Sequence, residues 1–180
     1  NIRTVSGVAY GTRTNEVGDA IDPTAILTGT WAQNQTVTAT LLVTTGGSFL
    51  EAELRLNSTM TAHSCAGYEI LYEIVGTIAI VRWNGPLANY TFLASTVNIP
   101  GRAGAGGLIT GDVLKATNVN GTITAYLNDV QIAQTTDSTF TAGAPGIGLN
   151  TYSTGDNTTY GYSDFTATDG GSTPYCFDKF

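Results

Sequence analysis

The chain has 180 residues, of which 12% are charged, and a formal net charge of −7 with lysine only at Lys115 and Lys179. No basic stripe is present to neutralise a phosphate backbone or an anionic bilayer, which excludes nucleic acid and charged membrane surfaces as natural partners. Twenty-two glycines, abundant threonine and a charged fraction about half the usual one describe short strands and turns, and no apolar run reaches the ~18 residues of a membrane span.

Residues 2–12 (IRTVSGVAYGT) read as a strand pair around Ser6-Gly7, followed by an acidic loop over 15–23 (NEVGDAIDP). Asp19 and Asp22 fall short of the roughly six to eight oxygens a calcium ion wants, so no cofactor or metal site is expected, with structural calcium as the alternative to a solvated loop. Thr36–Thr44 alternates valine or leucine with threonine as a half-buried strand does. After Gly46-Gly47, the run Phe49–Asn57 places Leu50, Ala52, Leu54 and Leu56 on one face and Glu51, Glu53 and Arg55 on the other. A loop over Ser58–Ala66 then carries His63 and Cys65.

The stretch Gly67–Gly85 (GYEILYEIVGTIAIVRWNG) is the hairpin around which the rest is built. Tyr68, Ile70, Tyr72 and Ile74 share one face and Glu69, Leu71 and Glu73 the other; Gly76-Thr77 turns the chain; Ala79, Val81 and Trp83 then alternate with Ile78, Ile80 and Arg82. A lone hairpin is marginal in water, so it must sit in a larger sheet. Tyr90–Thr96 is a further strand, and the glycine-rich 101–107 is a connection, not a phosphate loop, since no lysine and no helix follow it. Asp112–Thr117 and Thr122–Asn128 precede an Asn128-Asp129 hairpin turn into VQIAQT, and Gly146–Tyr152 and Tyr160–Thr168 supply the last strands. Short strands at regular spacing predict an all-β fold, a two-sheet antiparallel β-sandwich spanning 1–180 as a single domain, with 170–180 as a C-terminal tail.

The chain begins with Asn1 rather than Met and opens on no leader-like segment, which reads as a mature extracellular protein whose signal has been removed. In that setting Cys65 and Cys176, the only cysteines, are expected to form one disulfide, about 4 kcal/mol on the chain-entropy model, against the alternative of two unrelated thiols. Asn34, Asn57, Asn89, Asn120 and Asn157 match the Asn-x-Ser/Thr pattern for glycosylation.

Assigning the apolar sides to the core collects Glu51, Glu53, Arg55, Glu69, Glu73 and Arg82 on the opposite face. One reading is cross-strand ion pairing, about 0.2–1 kcal/mol per pair. The other is a glycan-binding groove, with these groups meeting hydroxyls and Tyr126 or Trp83 stacking on a sugar. Trp31 and Trp83 also fit the role of core anchors.

The segment GDVLKATNVNGTITAYLNDVQIAQTTDSTFTAGAPGIGL (111–149) resembles the second half of a concanavalin A-like lectin/glucanase domain, the laminin G-like jelly roll. Its marks are a strand ending in a Leu-Asn-x-Val hairpin, a Thr-Asp-Ser-Thr-Phe link and a Pro-Gly-Ile-Gly turn; YGYSDFTATD is similar to that superfamily's last strand, and GYEILYEI with IVRWNG to its central hairpin in secreted bacterial proteins. The resemblance implies a jelly-roll fold but not one activity, because the superfamily spans lectins, glycosidases, lyases and adhesion modules. Its glucanases carry carboxylates at i, i+2 and i+4 on one strand; here Glu51 and Glu53 are followed by Arg55. Ala52–Arg55 (AELR) is similar to a strand of alginate-lyase jelly rolls, whose Gln-x-His strand and Lys-bearing closing motif have no match, so no catalytic residue is assigned and no enzyme is expected. Such domains also open with a strand beside the last one, and this chain begins too late to contain it. A vacant sheet position follows, to be filled by strand exchange in a homopolymeric extracellular assembly or by the chain's own Tyr175–Phe180. The alternatives are a free carbohydrate-binding module with a glycan ligand and a polysaccharide-degrading enzyme.

Overall fold

The computed structural model describes residues 2–11, 23–43, 50–86, 88–104, 107–151, 160–170 and 175–177. Its strands, in chain order, are β1 (Ile2–Val5), β2 (Val8–Gly11), β3 (Thr24–Ile26), β4 (Gln35–Val43), β5 (Leu50–Thr61), β6 (Ser64–Glu73), β7 (Thr77–Pro86), β8 (Tyr90–Asn98), β9 (Val113–Val119), β10 (Thr122–Leu127), β11 (Val130–Thr136), β12 (Ala144–Thr151), β13 (Tyr160–Thr168) and β14 (Tyr175–Phe177). One sheet runs β1-β2-β13-β4-β9-β10-β11, with β14 also on β13; the other runs β3-β12-β5-β6-β7-β8. All pairings are antiparallel, so the expected all-β sandwich is what forms. Among the described residues no helix is long and apolar enough to cross a membrane.

Alternation sets the layers. Val37, Ala39 and Leu41 of β4 face Leu54 and Leu56 of β5 and Tyr68, Ile70 and Tyr72 of β6 in one buried core, as period-two strands with one apolar side must. Tyrosines from each sheet then reach carbonyls of the other. Tyr72 Oη donates toward the Lys115 and Tyr126 carbonyls (2.9 Å each), and Tyr162 Oη toward those of Gly148 (3.0 Å) and Glu53 (3.1 Å). Burial pushes both phenols above their ordinary range, so they remain donors that tie the layers together.

The expected loop over Ser58–Ala66 is instead the continuation of a long hairpin. β5 runs to Thr61 and β6 starts at Ser64, leaving Ala62 and His63 as the turn, His63 at φ 60°. The alternation was hidden by a bulge between Leu56 and Thr59, where Asn57 takes φ 48°. Backbone crowds this bulge: a Cβ on Gly67 would lie 2.6 Å from Ser58 Cα, and one on Gly143 2.5 Å from the Asn57 carbonyl carbon. Both glycines are at positive φ, and both are needed for that approach.

An amide network fills the bulge. Asn57 N donates to Gln35 Oε1 (2.8 Å), Asn57 Nδ2 to the Gln33 carbonyl (3.0 Å) and Asn118 Nδ2 to Asn57 Oδ1 (2.7 Å). Gln35 Nε2 donates to the Ala32 and Gly143 carbonyls (3.0 and 2.7 Å). Asn57 is 1% exposed, which corrects its place among the glycosylation acceptors: a side chain committed as donor and acceptor inside the sandwich presents no amide to a transferase. Asn89 and Asn120 are exposed, Asn34 is partly buried, and Asn157 lies outside the described residues.

The position beside the last strand is filled from within the chain, in part by the C-terminal segment that was one of its two expected occupants. β13 has β4 along one side; along the other it meets β2 at Tyr162–Ala9 and β14 at Phe165–Phe177, Thr166–Cys176 and Ala167–Tyr175. The backbone groups that would have templated a neighbour's strand are shared between the chain's own two terminal segments. The side chain of Cys176, like the whole of Asp19 and Asp22, lies outside the described residues.

Candidate functional site

The outward face of the six-stranded sheet carries most of the residues singled out by sequence. Pairing of Arg55 with Glu69 across β5 and β6, and of Glu69 with Val81 across β6 and β7, places Glu53, Arg55, Glu69, Val81 and Trp83 on one surface. Gly148 of β12 stands opposite Glu53, and the Glu53 carboxylate lies where a Gly148 side chain would have been. Arg55 Nη2 binds Glu53 Oε2, and Arg55 Nη1 lies 2.5 Å from Glu69 Oε2. Nη2 also donates to Thr24 Oγ1 (3.1 Å). The expected ion pairing is therefore present, but it is buried: Glu53 is 0%, Arg55 1% and Glu69 4% exposed.

Trp83 ends this network. Its Nε1 donates to Glu69 Oε2 (2.5 Å), and the Arg55 guanidinium carbon stands 5.8 Å from its ring centre, within cation–π range. The indole leans on a small apolar cluster of Leu71, Ala79 and Val81. Opposite Trp83 on the edge strand β8 is Tyr90, and opposite Val81 is Phe92. Ring centres are 5.3 Å apart for Trp83–Tyr90, at 55°, and 5.6 Å for Tyr90–Phe92, at 89°. Tyr90 is 48% and Phe92 52% exposed, so a row of three aromatics passes from a half-buried tryptophan to open rings at the sheet edge. Sequence reasoning missed Tyr90 and Phe92. Their i, i+2 spacing on the strand after Trp83 was the available signal, but only the sheet order shows that β8 is an edge.

Two residues assigned to this face lie elsewhere. Arg82 pairs with Tyr68, which puts it on the core side of β7, where Nη1 reaches Asp137 Oδ2 (2.6 Å) and Thr139 Oγ1 (2.9 Å). Tyr68 Oη donates to Asp137 Oδ1 (2.7 Å). Burial alone raises the Asp137 carboxyl, but hydrogen bonds from Tyr68 and Thr139 and the Arg82 charge outweigh it and hold it below its ordinary value, while burial first of all pushes the Tyr68 phenol up to about 12. The Thr-Asp-Ser-Thr-Phe link is thus a clasp between β7 and the chain leaving β11. Tyr126 lies on β10 of the other sheet, between core residues Ala125 and Leu127, and faces outward with Lys115 Nζ 5.0 Å over its ring. It cannot share a groove with Glu53. Trp31, by contrast, is the core anchor it resembled, buried with Nε1 donating to the Thr28 carbonyl (3.1 Å).

Glu51 and Glu73 stand directly opposite each other across β5 and β6, an unfavourable like-charge pair. Asn150 Nδ2 donates to Glu51 Oε2 (2.8 Å) and Thr77 Oγ1 to Glu73 Oε2. Burial pushes the Glu73 carboxyl above its ordinary value. The folded state then binds the proton more tightly than the unfolded one, so this group's contribution is full below the unfolded value and is lost as pH rises through the folded one. Glu73→Gln is expected to flatten the fall in stability on going from about pH 4 to about pH 7. Urea midpoints of both proteins at the two pH values check this; parallel falls would show that Glu73 is not responsible.

A scan of family models and a search of curated proteins find no match. Solved structures do. A carbohydrate-binding module, CBM66, from Bacillus subtilis is 14% identical over 93% of this chain and 90% of its own, with a TM-score of 0.66. A family 16 glycoside hydrolase, an endo-glucanase from Bacteroides ovatus, is 11% identical over 92% and 86%, with a TM-score of 0.56. The Caenorhabditis elegans galectin LEC-6 is 12% identical over 92% and 99%, with a TM-score of 0.55. The fold is the two-sheet jelly roll of these proteins, as the resemblance implied; identities this low carry the fold and no activity.

Proposed function

We propose that this chain is a non-catalytic, extracellular carbohydrate-binding module whose ligand lies along Trp83, Tyr90 and Phe92. The observation that carries this reading is the row of aromatics opening from the Arg55–Glu69–Trp83 network onto the edge of the sheet. Open rings offer an apolar surface to the C–H face of a sugar, and Trp83 is held by a hydrogen bond and a cation, so little freedom remains to be lost on binding. Catalysis is disfavoured by burial: a glycosidic bond must reach both carboxylates of a hydrolase, and Glu53 is 0% exposed and bound to Arg55.

Electrophoresis through gels containing soluble polysaccharides is the test. The wild-type protein is expected to be retarded by at least one of them without releasing reducing sugar, and Tyr90→Ala and Phe92→Ala to weaken retardation about tenfold each. Equal retardation of wild type and both variants would remove the row of aromatics from the reading, and turnover abolished by Glu53→Gln would replace a module by an enzyme.

Assembly by strand exchange is the second reading, favoured by one feature: the β1–β2 hairpin meets β13 through the single ladder pair Tyr162–Ala9. A neighbour's hairpin could make the same contact, and head-to-tail repetition would then give a filament. On this reading the intact protein sediments as a polymer and removal of residues 1–11 yields monomers; the Cys65–Cys176 bond is a separate expectation, closed within one chain, and would leave both thiols resistant to alkylation until reduction. A folded monomer at high concentration would rule the assembly out.

A further inference from the structure

The chemistry around the aromatics also bears on which glycans fit, an inference that rests on the carbohydrate-binding reading above. We infer that the row of aromatics takes a neutral, soluble glycan chain and rejects both polyanionic glycans and flat crystalline ones.

The first half follows from charge. Among the described residues of this face, Arg55 is the one cation, against the carboxylates of Glu51, Glu53, Glu69 and Glu73. It is 1% exposed and bound to two of them, so an incoming carboxylate or sulfate cannot reach it. Of the other described cations, Arg82 pairs with Asp137 on the core side of β7, Arg102 with Asp112 and Lys115 with Asp129 on the other sheet, and Arg3 is exposed on β1, at the edge of that other sheet. A polyuronate or sulfated chain laid along Trp83 and Tyr90 would find no counter-charge within reach and would approach against the field of a chain whose net charge is −7. A neutral sugar meets no such repulsion.

The second half follows from ring angles. Stacking on the face of a crystalline polysaccharide needs rings lying in one plane, because the sugars there do. Trp83 and Tyr90 are inclined at 55°, and Tyr90 and Phe92 at 89°. No flat surface can stack on the faces of all three. A single chain that turns between residues, or a chain end, can meet each ring in succession.

The experiment uses the intact protein on an array of neutral, uronate-containing and sulfated glycans, with microcrystalline cellulose and crystalline chitin in parallel sedimentation assays. Binding is expected to neutral soluble glycans alone, with affinity unchanged by salt and weakened about tenfold by Tyr90→Ala or Phe92→Ala. Both side chains are exposed, so the two variants are expected to fold, and circular dichroism verifies this. Aromatic-dependent capture of an acidic or crystalline polysaccharide would overturn the neutral-chain inference and leave the carbohydrate-binding reading standing. Absence of binding to every glycan would overturn both.

Discussion

Asn57→Ala is expected to remove roughly 3–5 kcal/mol of folding free energy, a large fraction of the ~5–15 kcal/mol that holds a typical domain folded. The substitution strips the Asn118 side-chain amide of its acceptor and the Gln33 carbonyl of its donor. The buried Asn118 amide left unpaired costs about 1–3 kcal/mol, and the Gln33 carbonyl, only partly buried, less. It also places a Cβ-bearing residue without asparagine's local hydrogen bonds at φ 48°, which adds about 1–2 kcal/mol. Asn57→Gly should relieve only this last part and remain the more stable variant by about 1 kcal/mol. Urea unfolding of the three proteins separates the contributions, provided the slope with denaturant is unchanged. A loss below about 1 kcal/mol for the alanine variant would mean that the network is not the clasp its geometry indicates.

The same residue shows where reading the sequence stopped. Alternation is a strong signal, and β4, the first part of β5, β6 and β7 follow it nearly residue by residue, because a strand with one buried side must repeat at period two. A bulge shifts that period by one residue, so the chain after Asn57 looked like a loop and Asn57 itself like a glycosylation acceptor. β3 and β14 have three residues each and no period to show. That the tail pairs with β13 within its own chain depends on contacts remote in sequence.

The site was legible in the same uneven way. Glu53, Arg55 and Glu69 could be placed on one face because adjacent strands of known phase bring like sides together. Arg82 could have been kept off it by phase alone, since it alternates with Trp83. Tyr126 could not, because only the order of strands assigns β10 to the opposite sheet. Burial was the larger omission. Ion pairs read as a solvated face are worth little; the same pairs at 0–4% exposure obey different energetics, with a testable consequence.

Arg55→Met is expected to cost about 3–5 kcal/mol, because it leaves the Glu53 and Glu69 carboxylates buried without their shared cation. The ion pairs themselves need not be the source of stability. Their desolvation offsets most of the attraction, so a protein carrying Arg55→Met together with Glu53→Gln and Glu69→Gln should regain most of the loss. The triple variant then isolates what the charges do for the site. The amide that replaces the Glu69 carboxylate can still accept from the Trp83 indole, but the guanidinium 5.8 Å from the ring is gone, and with it about 0.5–2 kcal/mol of cation–π attraction. If that attraction holds the indole in position for a sugar, the triple variant should fold with near wild-type stability and yet bind glycan more weakly, with tryptophan emission altered. A triple variant as unstable as Arg55→Met alone would show that the three charges stabilise the fold outright. One with full stability and full affinity would show that Trp83 needs no cation to hold it in place.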